Sequence, residues 1–138
     1  MKVKKNRFPL TDCGNDNMGN KKMKQKKGKQ RKELLQKELK RITEIIIKEY
    51  LPDKIILFGS LANGKVHEWS DIDLAIIKET NARFIDRLHK VHLMAEPNVG
   101  VNFIVYTPNE VQEMLEEKRY FLCDEILGKG RVLYEKNK

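Results

Sequence analysis

The sequence predicts an α/β (α+β) domain with one small mixed β-sheet flanked by helices. Segments with apolar residues every three or four positions alternate along the chain with short runs rich in β-branched residues. The resulting order is helix, strand, helix, strand, helix, strand, helix, strand, which implies helices packed on one small sheet. A chain of 138 residues is long enough for one such domain and its core.

The first half of the domain is predicted to hold two helices and two strands. An apolar stripe at helical spacing predicts an amphipathic helix over about residues 31–50; its members are Leu35, Leu39, Ile42, Ile46 and Tyr50. A Pro-Asp pair ends this helix, and residues 54–58 form a short apolar strand that stops at Gly59. A helix is predicted to start directly after that glycine, and the next strand spans about residues 71–78.

The second half repeats the alternation. Residues 81–95 are predicted to form a long helix with Asn81 as its cap. Thr107 begins another helix, because it is followed by proline at the first helical position and by glutamate at the third, as in a capping box. The remaining elements are predicted as strands over residues 99–106 and 131–134 and a last helix over residues 121–127.

Positive charge is concentrated at the beginning of the chain. Residues 1–32 hold 12 basic and 2 acidic residues, a net charge of +10, whereas the remainder holds 16 basic and 18 acidic residues, a net charge of −2. The slightly acidic remainder has no general attraction for DNA or RNA, because such binding depends on neutralised phosphates. We therefore expect no nucleic-acid partner, unless the basic N-terminal tail binds one.

Residues 1–30 are predicted to be a disordered basic tail, and residues 31–138 to form the folded domain. The tail combines Lys, Asn, Gly and Gln with few apolar anchors, so burial cannot offset the entropy lost on ordering. A solvated segment is the interpretation that we favour, and a basic arm for RNA or a membrane surface is the alternative. A third alternative is a biological start at Met18 or Met23.

The composition excludes several classes of protein. Cys13 and Cys123 are the only cysteines and have unrelated spacing, so neither a disulfide framework nor a zinc site is indicated. No apolar run approaches the length of a membrane span, and the N-terminus lacks the apolar region of a secretory signal. We therefore expect a cytoplasmic protein without a membrane partner.

Four residues at fixed offsets predict a site for a phosphorylated ligand and a divalent cation. An apolar strand ends at Gly59-Ser60, where the backbone N–H groups of a starting helix and the serine hydroxyl face any anion docked there. After ten intervening residues, Asp71 and Asp73 stand two apart in an apolar strand and project from the same face. Mg²⁺ prefers one or two carboxylates with waters and phosphate oxygens, so the turn and the acid pair suit one shared ligand.

The Gly-Ser step followed by Asp-x-Asp at this separation resembles the minimal nucleotidyltransferases (MNT type) of the DNA polymerase β superfamily. The strand followed by Pro-x-Glu and the closing segment 126–135 are also similar to that family, so the resemblance covers roughly residues 31–136. It implies a polymerase β-like nucleotidyltransferase core that uses Mg²⁺ and transfers a nucleoside monophosphate, which we expect to be AMP from ATP, to a hydroxyl group. Metal binding would fall to Asp71 and Asp73; the predicted nucleotide-binding residues are Gly59, Ser60 and Lys65.

The acceptor hydroxyl is expected to lie on another protein, because the chain shows no additional segment for gripping a nucleic acid or a small acceptor. In the family, that partner is commonly a small helical HEPN-domain ribonuclease toxin, and the nucleotidyltransferase acts as its antitoxin by modifying or masking it. The resemblance thus implies a nucleoside triphosphate and a HEPN-domain protein as partners.

One residue departs from the family pattern. The family carries a third carboxylate on the strand after the central helix, which completes the catalytic metal site and helps to take the acceptor's proton; the matching residue is Asn102. An amide adds no negative charge and cannot act as a base near neutral pH. Two hypotheses stay open: a nucleotidyltransferase with Asp71, Asp73 and Asn102 at its catalytic centre, or a degenerate one that binds nucleotide or a partner without turnover.

Each site residue also has an ordinary structural interpretation. Ser60 could cap a helix, Asp71 could cap a turn, and Asp73 could be a solvent-facing strand residue. The joint pattern favours the functional interpretation. Lys65 either reaches a phosphate or is a solvated loop residue, and Trp69 either stacks on a base or, as the simpler expectation, packs against the protein.

Overall fold

The computed structural model of the chain describes residues 13–136, with side chains from residue 28 onward. Helix α1 (Cys13–Ile45) continues as a π-helical turn (Ile46–Tyr50) and packs its apolar stripe on one face of the sheet. The helix begins well before residue 31, because Lys and Gln are good helix formers and no proline interrupts them. Helix α1 thus takes in residues 13–30 of the segment predicted as a basic tail, and residues 1–12 lie outside the described residues.

A four-stranded mixed sheet forms the centre of the domain, as predicted. Its strands are β1 (Lys54–Phe58), β2 (Ile72–Ile77), β3 (Val101–Tyr106) and β4 (Arg131–Glu135). They lie in the order β3-β2-β1-β4. Strands β2 and β3 are parallel, and β1 is antiparallel to both of its neighbours.

Four shorter helices connect and cover the strands. They are α2 (Ser60–Asn63), α3 (Phe84–Ala95), α4 (Pro108–Glu116) and the π-helical α5 (Phe121–Gly128). The capping box at the start of α4 is confirmed, since the Thr107 hydroxyl accepts from the Glu110 backbone N–H and the Glu110 carboxylate accepts from the Thr107 N–H. Within residues 13–136, no helix is both long and apolar enough to cross a membrane.

The start of α3 differs from the prediction, and only part of its apolar surface is buried. The helix begins at Phe84 rather than at residue 81, because the Thr80 hydroxyl accepts the Ala82 N–H and holds the preceding residues in a separate turn. Val91 is buried, whereas Ile85 and Leu93 are 62% and 63% exposed. Only one narrow side of α3 therefore packs against the sheet.

Alternation along the strands divides the core into two layers. The larger layer, under α1 and α3, takes Ile72, Leu74 and Ile76 from β2, while the smaller one, under α4 and α5, takes Ala75 from the opposite face. Asp73 shares the face of Ala75, one step closer to the start of the strand. The candidate site therefore lies where the smaller apolar layer ends.

Candidate active site

Asp73 lies where strands β1, β2 and β3 run side by side. In the strand register it stands opposite Phe58 of β1 and Asn102 of β3. A side-chain carbon added at Gly59 would overlap the Asp73 carboxylate, so the glycine backbone lies directly against that carboxylate. The structure thus brings the Gly-Ser turn and the Asp-x-Asp strand into contact.

The turn has a backbone shape that requires glycine. Gly59 has φ 77° and ψ −158°, a combination that residues with a side chain adopt only under strain. Ser60 is the first residue of α2, where backbone N–H groups have no partner within the helix. Gly59 occupies the capping position without a side-chain hydrogen bond, so the interpretation of Ser60 as a helix cap is wrong.

Asp71 precedes β2 and sits beside the residue that precedes β3. Its carboxylate contacts Gly100, where any side chain would overlap it. Arg31 of α1 donates from Nη2 to Asp71 Oδ1 at 3.4 Å, and the Asp71 side chain remains 45% exposed. Asp71 is therefore paired with the Arg31 guanidinium and is still accessible to solvent.

Asn102 is bonded to Asp73 through its amide nitrogen. The Nδ2 group donates to Asp73 Oδ1 at 2.8 Å. Burial raises the pKa of the Asp73 carboxyl; the Asn102 hydrogen bond opposes this shift, and the charge of Asp71 adds to it. Two carboxylates that repel each other in a partly buried position are stabilised by a nearby cation, which is the electrostatic requirement of a metal site.

The donor set suits one divalent cation shared with a phosphorylated ligand. Carboxylates such as those of Asp71 and Asp73 are among the hard oxygen ligands that Mg²⁺ prefers, and phosphate oxygens and waters would complete its coordination. Among residues 13–136, no group of three or more His, Cys, Asp or Glu side chains is placed to hold a metal by itself. The residue bonded to Asp73 on β3 is Asn102, whose side chain is an amide and not a third carboxylate.

Two further sequence-predicted residues lie on the loop between the turn and the acids. Lys65 follows α2, where its backbone N–H bonds the Ser60 carbonyl and its side chain is exposed. Trp69 is 79% exposed, so the expectation that it packs against the protein is wrong. Stacking on a base remains a hypothesis for Trp69, and a phosphate contact remains one for Lys65.

Helix α1 holds both loops that enter the site. Arg31 Nε donates to the Ser70 carbonyl at 2.8 Å. Further along the helix, the Glu38 carboxylate accepts the Asn98 backbone N–H, and Arg41 donates to the Glu96 carbonyl at 2.9 Å. These residues could not be identified from the sequence, because an arginine and its partner about forty positions away leave no local pattern.

The chain belongs to the polymerase β nucleotidyltransferase family, whose model matches residues 40–138. The matched region contains the turn, both aspartates and Asn102. The class of protein that the sheet and the acid pair define is therefore a nucleotidyltransferase, as the sequence resemblance implied.

Two known proteins are similar to this chain. A protein of Methanocaldococcus jannaschii named "Putative protein adenylyltransferase MJ0604" is 37% identical over 82 residues, which are 59% of this chain and 77% of that protein. The crystal structure of a "putative nucleotidyltransferase" from Sulfolobus solfataricus has the same fold, with a TM-score of 0.58 and 20% identity. That match covers 81% of this chain and 90% of the other.

Proposed function

We propose that this protein is a Mg²⁺-dependent adenylyltransferase that moves AMP from ATP to a hydroxyl group of a partner protein. The observation that carries the proposal is the contact between the Asp73 carboxylate and Gly59 of the Gly-Ser turn. The contact supports the proposal because Asp73, as a metal ligand, would lie beside the backbone N–H groups that would hold the phosphates. The name of the Methanocaldococcus jannaschii relative supports adenylate as the group and protein as the acceptor.

Each residue contributes positioning or charge to this reaction. Asp71 and Asp73 would hold the metal ion, which neutralises the phosphates when it is bound. The N–H groups at Ser60 would orient the β- and γ-phosphates, and Lys65 would add a positive charge at the rim. The acceptor oxygen forms a bond to the α-phosphorus, the bond to the pyrophosphate oxygen breaks, and the acceptor proton leaves to solvent, since the Asn102 amide cannot take it.

The proposed acceptor is a HEPN-domain toxin, with this protein as its antitoxin. The family resemblance of the sequence supports this partner. Copurification with the product of a neighbouring reading frame tests it, and a HEPN-domain protein that neither binds nor becomes labelled would count against it.

A second candidate function is nucleotide or partner binding without turnover. The observation that favours it is the Asn102 amide, which donates its N–H to Asp73 at 2.8 Å and adds no negative charge for a second metal ion. In that case Asn102→Asp would restore the charge at the same position.

Labelled ATP, Mg²⁺ and the partner protein distinguish the two candidates. If the protein is an enzyme, label passes to the partner, and Asp73→Asn lowers the rate by about 100-fold or more, because a charge placed for the transition state is lost. If it is degenerate, wild type transfers nothing and Asn102→Asp gains transfer. Wild-type transfer that survives Asp73→Asn would refute the proposed site.

A further inference from the structure

We infer that Arg31 is a displaceable counter-ion of the metal site. In the absence of ligand its guanidinium neutralises Asp71, and when a metal-bound nucleotide enters, it turns from the carboxylate to the phosphates. The inference rests on the proposed function, because it takes Asp71 as a metal ligand. Arg31 lies outside residues 40–138, so the family match does not assign it a role.

The two bonds of Arg31 differ in a way that allows the guanidinium to turn. Nε donates to the carbonyl of the buried Ser70 at 2.8 Å, which is a normal and fixed hydrogen bond. Nη2 reaches Asp71 Oδ1 only at 3.4 Å, which is a long contact. The guanidinium is therefore anchored at one edge while its other edge faces the carboxylate loosely.

The backbone keeps this anchor close to the site. A side-chain carbon added at Gly28 would lie 3.1 Å from the Val66 carbonyl oxygen, so α1 approaches the loop closely one helical turn before Arg31. The Ser70 hydroxyl accepts the His67 N–H at 2.9 Å and fixes the loop that carries the anchor. Arg31 can release Asp71 without leaving the mouth of the site.

Electrostatics favours the exchange. Arg31 is the cation that directly contacts the acid pair in the part of the chain with described side chains. A divalent cation on Asp71 would repel the guanidinium, and the triphosphate would attract its remaining donors, which can bind phosphate as a fork. The Arg31 side chain is 23% exposed, so phosphate oxygens can reach it.

The exchange predicts that Arg31→Gln changes two affinities in opposite directions. Mn²⁺ alone, used as a Mg²⁺ probe and followed by electron paramagnetic resonance, should bind the variant roughly two- to fivefold more tightly, because a competing cation is lost. A non-hydrolysable ATP analogue with Mn²⁺ should bind about tenfold or more weakly, because a charged phosphate contact is lost. Trp69, the only tryptophan, reports the second binding event through its emission.

Arg83→Gln is the matched control, because it removes the same charge from an exposed pair, Arg83 with Asp86, beyond the far end of β2. Both of its affinities should stay at wild-type values. Arg31→Lys keeps the charge but not the fork, so it should bind Mn²⁺ as wild type does and the nucleotide less well. It also serves as the test if Arg31→Gln does not fold.

The inference would be overturned if Arg31→Gln left both affinities unchanged, or lowered both together, since the second result means that Arg31 only positions Asp71. Failure of the proposed function gives a different result. In that case, Mn²⁺ binding by the wild-type protein would be absent or would not depend on Asp73.

Discussion

Arg87 joins α3 to β3 and α4, and Arg31 joins α1 to the loop before β2, but the two arginines use their donors differently. Arg87 makes two bonds to Glu110, the shorter at 2.7 Å, and bonds the carbonyls of Ala82 and Val105 at 2.9 and 3.1 Å. It is only 6% exposed. Arg31 has one short bond to a carbonyl and one long contact to a carboxylate, and solvent reaches it. A saturated, buried guanidinium maintains the fold, whereas an unsaturated, accessible one is available to a ligand.

Arg87→Ala should produce the largest loss of stability. The change leaves the Glu110 carboxylate and a buried carbonyl without their partner, which costs about 3 kcal/mol, at the lower end for a buried ion pair because Glu110 is 39% exposed. Urea denaturation measures the loss. If the free energy of unfolding stayed at the wild-type value, Arg87 would not be the structural residue that the comparison with Arg31 requires.

Glu38→Gln tests the ion pair of Glu38 with Arg41 on α1. Its expected loss of stability lies between those of Arg87→Ala and Arg31→Gln. Glu38 is buried and accepts two bonds from Arg41 at 2.8 Å, together with the Asn98 N–H. Loss of these charged bonds should lower the free energy of unfolding by about 1–2 kcal/mol. Glu44→Gln, at an exposed position of the same helix, is the control and should change it very little. Equal losses in the two variants would contradict the claim that the hydrogen bonds of Glu38 stabilise the fold.

Acid should weaken the fold through the two structural pairs. Arg41 lowers the pKa of Glu38 from 4.5 to about 2, and Arg87 lowers the pKa of Glu110. Since both folded-state pKa values are depressed, the stability from these pairs is present above pH 4.5 and is lost as the pH falls toward about 2. Melting temperatures across this range should fall less steeply for Glu38→Gln than for wild type; parallel curves would disprove this cause.

Arg31→Gln should produce the smallest change in stability. A partly exposed ion pair contributes less than about 1 kcal/mol, so its urea midpoint should lie close to that of wild type. Its main effect belongs to metal and nucleotide binding. A loss as large as that of Arg87→Ala would make Arg31 a structural residue and would erase the contrast between the two arginines.

The elements that the sequence predicted well are those with local signals. The apolar stripe of α1, the Thr107 capping box and the alternation in β2 each depend on residues of a single element and its immediate flank. The same holds for the turn at Gly59, whose conformation excludes other residues. These signals sufficed to predict the mixed sheet, whereas the expectation that the turn and Asp73 share one ligand came from the joint Gly-Ser and Asp-x-Asp pattern.

The features that the sequence did not reveal depend on distant partners. Arg31 of α1 contacts Asp71, but the apolar spacing of α1 does not indicate which loop the helix contacts. Arg87 is buried beside Glu110, which belongs to another helix. Trp69 is exposed although large aromatic residues usually pack against the protein, and no local pattern in the sequence indicates this exposure. The burial and pairing of these side chains depend on tertiary contacts, which residue type and local sequence do not specify.

The bare backbone beside the two aspartates restricts how the centre can vary. A methyl group at Gly59 would meet both an unfavourable φ and the Asp73 oxygens, while one at Gly100 would push Asp71 aside but leave the strand intact. In a library randomised at both positions, selection for folding should therefore retain glycine only at the first. If the proposed function holds, selection for AMP transfer should retain glycine at both positions, so the two selections would show which glycine the fold requires and which only the reaction requires.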